Sequence, residues 1–170
     1  MNIEKNEDIS GYICYQLLSQ PDAPEKMEET RRFWEILKEG RVYEVFISDI
    51  VLNEISKCSN EKFDILMDFL NQIEYNMVIR DEKTIKLADK FVGLGILKQK
   101  CTEDCQHIAS ALLAGCDIIT SWNFKHIVNV KTIKGVKVIT TLEGYKDLLI
   151  YPPSVLLEEV YDGDEGTNNK

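Results

Sequence analysis

Short apolar runs of strand period alternate along this chain with longer stretches of helical period, the sequence sign of an α/β fold. Residues 25–39 (EKMEETRRFWEILKE) place Met27, Phe33, Trp34 and Leu37 at helical spacing, and Gly40 marks the stop. Val42 to Asp49 (VYEVFISD) is rich in β-branched and aromatic residues and predicts a strand. Ser48 or Asp49 then caps a short helix, IVLNEISKC. Residues 61–74 put Phe63, Leu66, Met67, Leu70 and Ile73 on one helical face. YNMVIRD predicts a second strand, and DEKTIKLADKFVGLG a helix ended by Gly93 and Gly95. TEDCQHIASALLAGCDIITSWNFKHI (Thr102 to Ile127) predicts a helix, a glycine turn and a buried strand that stops at Trp122-Asn123. KGVKVITT predicts a last strand, and YPPSVLLEEV carries a Pro-Pro stop with a short apolar patch. The closing DGDEGTNNK has the composition of a disordered tail. The expected organisation is one domain over residues 1–150 and a C-terminal extension over 151–170.

A chain of 170 residues is long enough to bury a core as one domain. No apolar run reaches the length of a membrane span, and MNIEKNED lacks the basic and then apolar pattern of a signal sequence, so a cytoplasmic location is expected. The net charge of −9 argues against holding nucleic acid by phosphate neutralisation alone. Action on RNA would require a divalent cation to offset clustered carboxylates, and an acidic surface also suits a basic partner segment. The five cysteines, Cys14, Cys58, Cys101, Cys105 and Cys116, form no C-x-x-C pair. Cys101 and Cys105 can share a helix face with two histidines available, yet the spacing matches no common zinc module. Free thiols in a reducing compartment are the plainer reading.

The stretch from Thr102 carries the strongest chemical signal. Asp104 and His107 lie one helical turn apart, close to the polar end of a strand, where ligand and metal sites of open α/β sheets collect. The pattern D-x-x-H-I-A, then G-C-D-I-I, then S-W-N-F resembles the PIN-domain family, and within it the VapC-like toxin branch. D-A-P-E-K-M-E-x-T-R-x-F-W, from Asp22, resembles the same group, so the likeness covers residues 22–150.

That resemblance implies an α/β, PIN-like three-layer fold with a mainly parallel central sheet flanked by helices. It implies a metal-dependent endoribonuclease of the toxin-antitoxin type, a hydrolase that cuts RNA phosphodiester bonds with Mg2+ or Mn2+. The implied partners are an RNA substrate, an antitoxin inserting a basic side chain into the acidic site, and a second copy in a homodimer. Glu54 and Asp104 correspond to metal-binding and catalytic carboxylates, and Asn123 to a catalytic group that orients water or phosphate. The chemistry is consistent: carboxylates are hard oxygen ligands for such ions, and a bound ion activates water and neutralises the phosphate.

Each of these residues also has a plainer reading. Glu54 is an ordinary helix glutamate, although its apolar neighbours Ile50, Val51, Leu52 and Ile55 make the helix largely buried, and a buried glutamate needs a partner. Asp49 is better read as a helix cap. Asp104 suits the positive end of a helix dipole, with Glu103 a weaker alternate. Asn123 suits a turn. His107 reads as a packing or hydrogen-bonding residue beneath the site. Trp122 and Phe124 form a wall of the site or part of the core. Lys125, His126 and Lys131 make a small basic patch able to steer phosphates, or a solvated loop.

The beginning of the chain departs from the family. Its members open with a buried strand ending in an aspartate that is the central metal ligand. Counting back from Asp22, that position falls near Ser10 or Gly11, neither acidic; counting from Met1 reaches Asn6. Asp8 is the third candidate metal ligand, reached only through an insertion. MNIEKNE makes a poor central strand, while GYICYQLL can be either the strand or the helix that follows. Loss of this carboxylate favours the alternative function, a catalytically inactive PIN-like protein-binding module.

Overall fold

The computed structural model describes residues 11–16, 24–40 and 42–158, the first of these as backbone alone. Among the described residues five strands form the centre: β1 (Gly11–Gln16), β2 (Tyr43–Ser48), β3 (Asn76–Val78), β4 (Ile118–Ser121) and β5 (Leu149–Tyr151). Every pairing is parallel, in the order β3-β2-β1-β4-β5. The apolar run GYICYQ is therefore the central strand. Its register with β4 sets Ile13 against Ile118 and Gln16 against Ser121.

A parallel sheet needs cover on both faces. The crossovers supply it with α1 (Pro24–Glu39), α2 (Asp49–Ser56), α3 (Asn60–Leu70), α4 (Glu82–Gly93), α5 (Thr102–Leu113) and α6 (Val130–Glu143). Alternation along the strands divides the core in two. Tyr43, Val45, Ile47 and Ile118 pack with α1, α2 and α3. Ile119 and Ile150 face the other way, with α4, α5 and α6. The expected three layers around a parallel sheet are what the chain forms.

Local signals set most of the boundaries. Asp81 caps α4 by accepting from the Thr84 backbone N–H at 2.9 Å, in a capping box completed by the Thr84 hydroxyl. The Thr84 backbone bond is the chief reason the Asp81 carboxyl is held below its ordinary range. Trp34 is 3% accessible and meets Phe69 edge-on at 5.4 Å between ring centroids. Met27 and Phe63, expected on the buried faces of their helices, are exposed. No helix among the described residues is long and apolar enough to cross a membrane.

One element differs in kind from its expectation. KGVKVITT is not a strand but lies inside α6. The alternation of Lys and Val imitates a strand, but the buried positions Thr132, Gly135, Val136, Ile139 and Thr140 recur at helical spacing. Asn129 caps this helix by accepting from the Thr132 N–H at 3.0 Å, and Gly144 ends it at φ +73°. The last strand comes later, as β5. The folded body also runs past residue 150: residues 153–158 are helical, and Leu156 and Leu157 are buried against the α1 side of the sheet.

Candidate functional site

β2 and β3 follow β1 on one side of it, and β4 and β5 lie on the other. The chain thus changes direction across the sheet between β1 and β4. At such a switch point the connections diverge from the carboxyl ends of the strands and leave a crevice. The residues that reach this edge come from the end of β4, the loop after it and the first turn of α5.

Asp104 lies in the first turn of α5, after a short 3-10 turn at Gln99–Cys101. The Thr102 hydroxyl donates to the Gln99 carbonyl at 2.6 Å and fixes that entry. Beyond β4, Ser121 accepts from the Asn123 backbone N–H at 2.9 Å. The Asn123 side-chain oxygen accepts from the His126 backbone N–H at 3.0 Å, which orients its amide. The amide nitrogen then donates to Asp104 Oδ1 at 2.9 Å, and His126 Nδ1 lies 2.9 Å from Asp104 Oδ2. A carboxylate can only accept, so His126 carries its proton on Nδ1.

Glu54 meets the same helix one turn deeper. Its Oε2 is 3.3 Å from His107 Nε2, and His107 Nδ1 is 3.3 Å from the Ser48 hydroxyl. By the same reasoning Nε2–H donates to Glu54, and Ser48 donates to Nδ1. This Ser–His–Glu line has the connectivity of a hydrolase triad. Ser48 and His107 are 0% and 1% accessible, however, so no substrate reaches the hydroxyl. The line holds Glu54 in place, consistent with His107 as a hydrogen-bonding residue beneath the site. It also explains why Ser48, at the N-cap position of α2, makes no capping bond with its side chain.

The neighbouring acids are accounted for differently. Asp49, read from the sequence as a cap, accepts from the Arg80 guanidinium and backbone N–H, each at 3.1 Å, while Arg80 also donates to Gln106 at 3.0 Å. Glu103 pairs with Lys57 at 3.3 Å on the surface. Glu54 and Asp104 have 13% and 15% side-chain accessibility, and among the described residues each meets a histidine, cationic only when protonated, rather than a Lys or Arg. A partly buried carboxylate without a fixed cation beside it is open to one from solvent, and carboxylate oxygens are the donors that a hard divalent ion takes. Asp8, the third candidate, lies outside the described residues, as does Asp22. The residue at the carboxyl end of β1 is Gln16.

Two further residues belong here that the sequence reading placed elsewhere. His126, assigned to a basic patch, contacts Asp104 directly. Cys101 brings its sulfur to within 4.8 Å of donor atoms on both Asp104 and His126. The signal was available: Cys101 precedes Asp104 by three positions, and His126 follows Asn123 by three, so each shares a turn with a candidate residue. Cys105 is not in this group. Burial chiefly, with the charge of Asp104 adding, pushes its thiol up to about 12. Beside the group opens a cleft of about 250 Å3, lined by Lys98, Lys100, Lys125 and Lys131 together with Cys101 and His126. Across the loop, Trp122 is buried and donates to the Thr30 hydroxyl at 2.9 Å. Phe124 stays 44% exposed, with Lys26 Nζ 5.1 Å from its ring centroid.

No family model and no curated protein matches the chain. Among solved structures it is similar to a chain in the crystal structure of VapBC2 from Rickettsia felis bound to a DNA fragment from their promoter. The two are 16% identical, with a TM-score of 0.47, over 85% of this chain and 98% of that one.

Proposed function

We propose that this chain is a PIN-type, metal-dependent endoribonuclease of the toxin-antitoxin kind, acting in the cytoplasm on RNA phosphodiester bonds. The observation that carries the reading is the junction of Asp104 with Asn123, at the carboxyl edge of a parallel sheet where β1 and β4 diverge. Its residue pattern is the one that resembles the family. Glu54 and Asp104 would hold Mg2+ or Mn2+, which supplies an activated water and neutralises phosphate charge. Asn123 keeps the Asp104 carboxylate aimed at the site, and His107 does the same for Glu54. The lysines along the cleft attract the phosphate backbone that the rest of this acidic chain repels. An antitoxin segment bearing a basic side chain, and a second copy of the chain, complete the proposed assembly.

A second reading is a catalytically silent PIN-like module that binds a protein partner. One observation favours it: the central strand ends in Gln16 rather than in an acid. Cleavage of a single-stranded RNA in Mn2+, by the full chain and by Asp104→Asn, separates the two, with Mn2+ calorimetry alongside. The nuclease reading requires cleavage and Mn2+ binding in the wild type, both lost in the variant. A wild type that neither cleaves RNA nor binds Mn2+ is the protein-binding module.

A further inference from the structure

We propose that Cys101, Asp104 and His126 form a binding site for a borderline-soft divalent ion of the zinc class, opening on the lysine-lined cleft. Their donor atoms, one sulfur, one oxygen and one nitrogen, all lie within 4.8 Å of one another. That mixture differs from the all-oxygen set of a magnesium centre. Thiolate and imidazole select zinc and its neighbours, whereas magnesium takes carboxylates, phosphates and water. The site shares Asp104 with the proposed nuclease centre but stands whether or not RNA is cleaved.

Three features of the structure support it. The first is support from the chain: Cys101 ends the 3-10 turn and Asp104 lies in the first turn of α5, so two donors come from one continuous, well-packed segment. His126 is fixed from behind, because its backbone N–H donates to Asn123 and its carbonyl accepts from the Thr132 hydroxyl at 2.7 Å. The second is access. Cys101 is 4% accessible, yet it and His126 both line the cleft, so an ion has an entry path.

The third is charge. Cys101 gives up its proton to solvent on binding, and the thiolate and the Asp104 carboxylate together neutralise a divalent ion. The ion would take the place of the proton now shared between His126 Nδ1 and Asp104 Oδ2, with that proton moving to Nε2, while the Asn123 bond to Asp104 Oδ1 remains. Three protein donors are one fewer than the usual four of zinc, as in catalytic zinc sites, where the last position goes to water or substrate. The four lysines repel a bare cation but favour an anion bound to one. The fourth ligand is accordingly an anionic oxygen, of phosphate type.

The test uses Co2+ as the probe, added to the full reduced chain and followed by absorbance. The wild type is expected to show a thiolate-to-cobalt charge-transfer band in the near ultraviolet, bleached by Zn2+. Cys101→Ser should abolish the band. His126→Gln should keep it but weaken Co2+ affinity at least about tenfold. This variant also serves if Cys101→Ser does not fold. Glu54→Gln, which removes a ligand of the proposed nuclease centre, should leave the band intact. No band in the wild type, a band that survives Cys101→Ser, an unchanged affinity in His126→Gln, or loss in Glu54→Gln would each overturn the assignment. Because the readout is optical, failure to cleave RNA in Mn2+ leaves the cobalt result standing.

Discussion

Asn123 donates its side-chain amide to Asp104 at 2.9 Å, and this one bond joins the loop after β4 to the first turn of α5. The two residues are 19 positions apart in sequence. The amide cannot reverse without losing the bond from the His126 N–H, so the contact has one orientation. Asn123→Ala is expected to free Asp104 on that side while leaving the buried strand intact. Manganese affinity and RNA cleavage should fall together by about 10–100-fold, the usual loss when a group supporting a metal ligand is removed. Asn123→Asp places a third carboxylate beside Asp104 instead. The two like charges repel, and bound Mn2+ should relieve that repulsion. If both variants bind Mn2+ as the wild type does, the bond is structural only.

His107 is the buried link between Ser48 and Glu54, both at 3.3 Å. His107→Ala removes a partner from a sealed hydroxyl and from a partly buried carboxylate at once. An unsatisfied buried polar group costs about 1–3 kcal/mol, so denaturant unfolding should report a loss of that size or more. Ser48→Ala removes only the hydroxyl and should cost less than His107→Ala. Equal losses in the two variants would mean that the Glu54 bond contributes nothing.

The pH dependence of stability should show the Asp81 cap. The folded-state pKa of Asp81 is depressed, chiefly by the Thr84 backbone bond. Its contribution is therefore fully present above the ordinary carboxyl value of 3.8 and is lost as pH falls through the lower folded value. Asp81→Asn keeps an oxygen for the cap but has nothing to titrate. Thermal melts of the wild type and Asp81→Asn should converge as the pH falls below 3.8. Parallel curves throughout that range would remove the cap from the acid transition.

Much of this architecture was legible in the sequence, and the exceptions have physical causes. Helices α1, α4 and α5 carry long amphipathic stretches with clear stops, and β2 and β4 carry β-branched runs, so pattern alone places them. The central strand was harder, because GYICYQ is apolar without alternation and suits a helix as well as a doubly buried strand. α6 imitated a strand because valine and isoleucine crowd its sequence; the Asn129 cap was the sign of a helix. Glu54, Asp104 and Asn123 are candidates that rest on resemblance; the structure sets Asn123 against Asp104 and joins Glu54 to α5 through His107. The partners Ser48 and Cys101 were not found as such, because contacts between segments distant in sequence leave no local pattern. For Ser48 and His107, 59 positions separate the two ends of one hydrogen bond.

Gly135 provides the sharpest test of how α6 packs. A Cβ built on it would stand 2.3 Å from Ile96 Cγ2 and 2.7 Å from Ile96 Cγ1. In an exposed helix, Gly→Ala stabilises by roughly 0.5–1 kcal/mol, because alanine loses less backbone entropy on folding. Here the sign should reverse. Ile96 is 8% accessible and branched at Cβ, with both γ carbons in the way, so rotation about χ1 brings another methyl or methylene group toward the same space. Overpacking of this kind costs about 1–3 kcal/mol, more than the propensity gain. Gly135→Ala should therefore lower the unfolding midpoint. In the Ile96→Ala background, where both clashing atoms are gone, the same substitution should become neutral or stabilising. A Gly135→Ala that stabilises the wild type would place α6 farther from the loop after α4 than the structure does, and the double-mutant cycle measures that contact directly.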